Sequence, residues 1–96
     1  MTKQEKRALL DRYLALYRVR PYGELVAYAD PTRGDHYEVT LDSGGEAYID
    51  VQGLWDDEVG GNVRISVSVY DHGWSAFFPA MDDFIIAPDG SFIGEG

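Results

Sequence analysis

From Asn62 to Tyr70 apolar and polar residues alternate without a break. Val63, Ile65, Val67 and Val69 fall on one side, and Arg64, Ser66, Ser68 and Tyr70 fall on the other. A period of two with β-branched residues on one face predicts a half-buried antiparallel strand. The rest of the chain is read against it.

Residues 2–19 carry a different period. Leu9, Leu10, Tyr13, Leu14, Leu16 and Tyr17 gather on one side at 3.6 residues per turn, which predicts an amphipathic helix. Thr2, with Glu5 three residues on, has the form of a capping box. Pro21 ends the helix, because the residue before a proline is pushed out of the helical region. Residues 22–29 fit a short second helix or an edge strand, with the helix slightly preferred. Residues 30–35 are a loop containing Arg33-Gly34-Asp35, an integrin-recognition tripeptide read here as loop chemistry.

Alternation resumes over 36–42 and 46–55. Tyr37, Val39 and Leu41 oppose His36, Glu38, Thr40 and Asp42; Ala47, Ile49, Val51 and Trp55 oppose Glu46, Tyr48, Asp50 and Gln52. A two-residue Gly44-Gly45 loop would send the two apolar sets to opposite faces. Register follows the buried face, so a three-residue loop Ser43-Gly44-Gly45 is expected, with Gly45 in the left-handed region. It pairs Leu41 with Ala47 and Val39 with Ile49. On the polar side it sets Glu38 opposite Asp50 and Asp42 opposite Glu46. If Trp55 then pairs with Val63, Tyr48 meets Tyr70 on that same side.

An acidic loop, 56–62, leads into the central strand. Residues 71–74 form a turn, 75–78 a short strand ended by Pro79, and 80–83 a connection. Phe84 to Ala87 read as a covered strand. Pro88-Asp89-Gly90 is a turn that sets Ile86 across from Phe92. The expected fold is α+β: one domain over residues 1–96, with the N-terminal amphipathic helix packed on an antiparallel β-meander of four to six strands.

The hydrophobic fraction of 45% and the aromatic fraction of 14% fit a folded globule with a modest core, not a disordered tail. The absence of cysteine excludes disulfides, thiolate catalysis and cysteine-ligated metal. The charged N-terminal stretch has no signal-peptide pattern, and no apolar run reaches membrane-spanning length. A soluble, cytoplasmic protein is expected. Net charge is −9, unevenly spread. Residues 1–20 hold six cations against two carboxylates, a net of +4, and residues 21–96 hold two cations against fifteen, a net of −13. That layout fits a basic helix complementing an acidic sheet, or an acidic surface aimed at a basic partner. It disfavours nucleic acid, whose phosphates most of the surface would repel.

Catalytic patterns are missing. No serine sits in a Gly-x-Ser-x-Gly elbow, and His36 and His72 lack triad or zinc spacing. Asp56-Asp57-Glu58 does not follow the calcium-loop pattern, and neither Gly44-Gly45 nor Gly60-Gly61 extends into a phosphate cradle. No catalytic group, metal or cofactor is expected. What remains is Glu38, Asp42, Glu46 and Asp50 beside Tyr48 and Tyr70. Like charges directly opposed on a sheet are unfavourable by a few tenths to about 1 kcal/mol, and tyrosine is enriched in binding surfaces. These six residues are the expected partner surface. The expected role is a small acidic binding protein that neutralises a basic macromolecular partner, in the style of an immunity protein or inhibitor. A nuclease toxin is one such partner. The alternative is a small-ligand-binding domain or enzyme using a helix–sheet pocket with Glu38 and Asp50 as paired carboxylates. Assembly through the aromatic C-terminal strands is a third reading.

Overall fold

The computed structural model describes residues 1–73 and 79–95. Its elements are α1 (Lys3–Arg18), α2 (Tyr22–Leu25), a 3-10 turn (Val26–Ala29), and strands β1 (Asp35–Thr40), β2 (Glu46–Trp55), β3 (Val63–Tyr70) and β4 (Ala80–Ile86). The strands form one antiparallel sheet in the order β1-β2-β3-β4, a meander. The helix lies over β3 and β4, and the 3-10 turn lies over β2 and β3. This is the expected α+β arrangement. The short strand expected at 75–78 lies outside the described residues. No helix among the described residues is long and apolar enough to cross a membrane.

The capping box forms as expected. The Glu5 amide donates to Thr2 Oγ1 at 3.1 Å, and the Thr2 amide donates to Glu5 Oε1 at 2.9 Å. Leu10, Tyr13, Leu14 and Tyr17 are buried against the sheet. Leu16, expected on the same stripe, is 47% exposed, because it lies beside Leu9, beyond the Tyr13 edge of the arc that Leu10, Tyr13, Leu14 and Tyr17 bury. Residues 22–29 are helical throughout, with Pro21 just ahead of α2.

Val63, Ile65, Val67 and Val69 are fully buried, and so are Ala47, Ile49 and Val51 on β2. The core joins these residues to the α1 stripe, Leu25, Tyr28, Phe84 and Ile86. Gly53 on β2 lets the 3-10 turn come down onto the sheet. A Cβ built there would lie 2.7 Å from Tyr28 Cβ and 2.8 Å from its carbonyl oxygen.

Trp55 pairs with Val63 and Tyr48 with Tyr70, the one of the registers open to the long loop that brings the two tyrosines together. The first hairpin needs a correction. Its loop has three residues, but they are Asp42-Ser43-Gly44, closed by the Leu41 amide donating to the Gly45 carbonyl at 2.7 Å. Gly44, not Gly45, takes the positive φ, at +94°. The pairing therefore shifts by two: Val39 opposes Ala47, Tyr37 opposes Ile49, Glu38 opposes Tyr48 and His36 opposes Asp50. A shift of two keeps every side chain on its expected face, so hydrophobic alternation could not tell the two registers apart. Neither expected like-charge pair is made. At the far end, residues 80–83 are the first half of β4, where Ala80 opposes Val69 and Asp83 opposes Ser66. They do not form a connection. The alternation there is masked by Asp82 on the helix side, where Arg7 pairs with it at 3.0 Å. The turn at 88–90 forms as expected, with φ +89° at Gly90 and Ile86 bridged to Phe92.

Five side chains close one end of the core. The Tyr17 hydroxyl donates to Asp35 Oδ2 and lies 2.7 Å from the Tyr37 hydroxyl. Tyr28 donates to the same carboxylate oxygen at 2.6 Å. Arg20 reaches the Tyr28 hydroxyl at 3.0 Å and stacks over the Tyr17 ring. Burial is the largest influence on Asp35 and pushes its pKa up, but the two tyrosine hydrogen bonds, with Arg20 and Arg33, outweigh it and hold the carboxyl below its usual range. Burial, Asp35 and Tyr37 together push Tyr17 upward. The aspartate of the Arg33-Gly34-Asp35 tripeptide is thus engaged inside the fold.

Candidate functional site

The meander leaves two unlike faces. One is covered by α1 and the 3-10 turn, and no described helix crosses the other. Outward-pointing residues of adjacent strands form a continuous array there, because successive side chains on a strand alternate between faces. Glu38 on β1, Tyr48 on β2 and Tyr70 on β3 lie in register across three strands. His36 and Asp50 form the neighbouring pair.

The rings make a row. Tyr48 and Tyr70 have centroids 5.6 Å apart and planes inclined by 29°; His36 and Tyr48 lie 6.0 Å apart at 17°. His72, from the turn after β3, meets Tyr48 edge-on at 4.8 Å, with its Nε2 hydrogen-bonded to the Tyr48 hydroxyl. Tyr48 also donates to Glu46 Oε2 at 3.2 Å. Between these side chains is a shallow depression of about 320 Å³ lined by His36, Glu38, Tyr48, Tyr70, Asp71 and His72.

Charges within the array are partly matched. His36 Nδ1 lies 2.5 Å from Asp50 Oδ1, and its Nε2 lies 3.7 Å from Glu38 Oε1. The Asp50 hydrogen bond is the main reason the His36 pKa is raised, and Glu38 adds to it. A hydrogen bond to Asp50 likewise leads the upward shift of Tyr70. Burial leads that of Tyr48, with Glu46 next. Because the folded-state pKa of His36 lies above its unfolded value, the pair stabilises the fold fully below the unfolded pKa. That contribution disappears as pH rises through the folded one. A proton NMR titration of the His36 ring should give a midpoint above 6.5, and Asp50→Asn should bring it down. An unchanged midpoint in the variant would remove Asp50 as the cause.

Five of the six expected surface residues come together here: Glu38, Glu46, Tyr48, Asp50 and Tyr70. Asp42 does not. The hairpin shift puts it in the turn, exposed and outside the strand ladder. The histidines were not expected to take part. His36 could have been found from its outward position on β1, whereas His72 reaches the array only through the turn that follows β3. Arg64 does not neutralise these carboxylates. It is held at the other end of the sheet by Asp56 at 2.7 Å and Asp83 at 2.9 Å. The α1 cations lie on the opposite face, where Arg7 and Arg18 pair with Asp82 and Glu95.

Glu38 and Asp50 point away from the helix, so they do not line a helix–sheet pocket, and the space under the helix is filled by the core. A larger cleft, of about 520 Å³, lies between α1, β4 and the C-terminal segment. Its two arginines are already ion-paired, Arg7 with Asp11 and Asp82, Arg18 with Glu95. Among the described residues no group of three or more histidine, aspartate or glutamate side chains is placed to hold a metal ion. Compared with known protein families, curated proteins and solved structures, the chain finds no match in any of the three.

Proposed function

We propose that the protein is a small acidic binding protein that neutralises a basic macromolecular partner through the outer face of its sheet, in the manner of an immunity protein or inhibitor. The observation that carries this reading is the tyrosine–histidine row flanked by Glu38, Glu46 and Asp50 on the face opposite the helix. Tyrosine offers large contact area at low entropic cost, and carboxylates around it steer a cationic partner. The net charge of −9 extends that steering beyond the contact. A basic nuclease fits these demands, and a cysteine-free chain suits the cytoplasm where such a partner would need restraining.

The support differs from what alternation alone suggested. Opposed carboxylates across the hairpin would have marked stability sacrificed for binding, but Glu38 opposes Tyr48, and Asp50 opposes His36. What supports the reading is the segregation of charge and rings onto the face that no described helix covers.

Capture from a lysate of the source cell tests it. The bait is used in three forms: unaltered, Glu38→Gln with Glu46→Gln, and Asp57→Asn with Glu58→Gln. The expected result is a basic protein held by the first and third forms and lost, or much reduced, on the second. Equal retention by all three would place binding elsewhere. Retention of no basic protein would contradict the function.

A further inference from the structure

The chain supplies arginines to its own aromatic rings on the helix side. Arg18 lies 4.2 Å from the Phe92 ring centroid, and Arg20 lies 4.2 Å from that of Tyr17. On the outer face, among the described residues, tyrosine rings and carboxylates lie together with no arginine laid against the rings. Tyr48 and Tyr70 stand in a row of near-parallel rings beside Glu38, whose side chain is 67% exposed. Arg64, the one arginine on the outward side of β3, is turned away to Asp56 and Asp83. The shallow depression of about 320 Å³ is roomy enough for one side chain and too open to enclose a free small molecule.

We propose that this depression receives a single arginine side chain of the basic partner, its guanidinium laid against the Tyr48 and Tyr70 rings and ion-paired with Glu38. The inference rests on the function proposed above and names the group recognised. A guanidinium is planar, stacks on aromatic faces and presents a fork of donors to a carboxylate; an ammonium is a compact, strongly hydrated point charge that does the first poorly. Arginine anchors are common at the centres of interfaces for the same reasons. A second copy of this chain meeting it face to face is a poor occupant, because it would bring the same carboxylates to the same place. Nucleic acid brings phosphate.

The probe is a tripeptide, glycine-arginine-glycine, titrated into the full chain labelled with carbon-13 in its tyrosine and histidine rings. Glycine-lysine-glycine and the uncharged citrulline analogue serve as controls. The expected result is saturable shifts at Tyr48, Tyr70 and His36, stronger binding of the arginine peptide than of the lysine peptide, and no saturation with citrulline. Tyr48→Leu should weaken arginine binding about two- to five-fold, the effect of one exposed cation–π contact. Glu38→Gln, an exposed change that leaves the fold alone, should weaken it too. Equal binding of arginine and lysine peptides, absence of saturation, or shifts unaffected by both substitutions would overturn the inference. If a basic protein still bound through Glu38 and Glu46 in the capture experiment, only the arginine assignment would fall. If no such protein bound, both would fall.

Discussion

Asp35→Ala should destabilise the fold by about 2–4 kcal/mol, since it strips the acceptor from two part-buried tyrosine hydroxyl bonds and each orphaned donor costs about 1–3 kcal/mol. Tyr17 is fully buried and Tyr28 is 8% exposed, so water cannot freely replace the carboxylate. Tyr17 retains its contact with Tyr37, which keeps the loss below the sum of two complete penalties. Asp35→Asn retains an acceptor oxygen but gives up the charge facing Arg20 and Arg33, so its loss should be smaller. The sign with pH follows from the depressed carboxyl. Its contribution is present above the unfolded pKa of 3.8 and is lost as pH falls through the lower folded value. Urea melts at neutral pH and at descending pH check both statements. An alanine variant melting like the wild type would mean that the aspartate does not tie α1, the 3-10 turn and β1 together. An asparagine variant with the same acid sensitivity as wild type would remove the linkage.

Gly53→Ala should cost about 2–3 kcal/mol, the upper part of the usual range for overpacking a filled site. The added methyl would meet Tyr28 Cβ at 2.7 Å, its carbonyl oxygen at 2.8 Å and its carbonyl carbon at 2.9 Å. Two of these are backbone atoms, which cannot swing aside as a side-chain tip can. Relief requires lifting the 3-10 turn from the sheet, and that would also disturb Tyr28 and the Asp35 network. Equilibrium denaturation of the variant measures the loss. A change within about 0.5 kcal/mol, the level of an ordinary surface substitution, would show that the turn does not sit on β2 as described.

These two positions also show what could be read from the amino acids and what could not. The helix and the central strand follow from local periodicity, because each buries one side of a regular element; the Trp55–Val63 register was one of several that the long loop allows. The Pro88-Asp89-Gly90 turn follows from residue chemistry. On the first three strands the faces were legible, and so five of six surface residues fell on the expected side. The hairpin register was not legible in full. Gly44 and Gly45 offer the left-handed position equally well, and moving the loop by one residue shifts the pairing by two without turning any side chain over. Asp42 left the array for that reason alone. Residues 80–83 hid as a strand because Asp82 is kept on the helix side by Arg7, a partner 75 residues away. The Asp35 network was out of reach for the same reason: Tyr17, Tyr28 and Asp35 belong to three elements, and no local pattern brings them together.

In the proposed role Glu38 and Glu46 serve a partner, not the fold. The most direct measurement compares Glu38→Gln with Glu46→Gln against the unaltered chain, following the rate of association with the captured basic protein across ionic strength alongside the melting midpoint. The expected result is a melting midpoint nearly unchanged, slower association at low salt and a flatter salt dependence, because electrostatic steering acts on the association rate. An unchanged association rate at every salt concentration, or a clear fall in the melting midpoint, would contradict it.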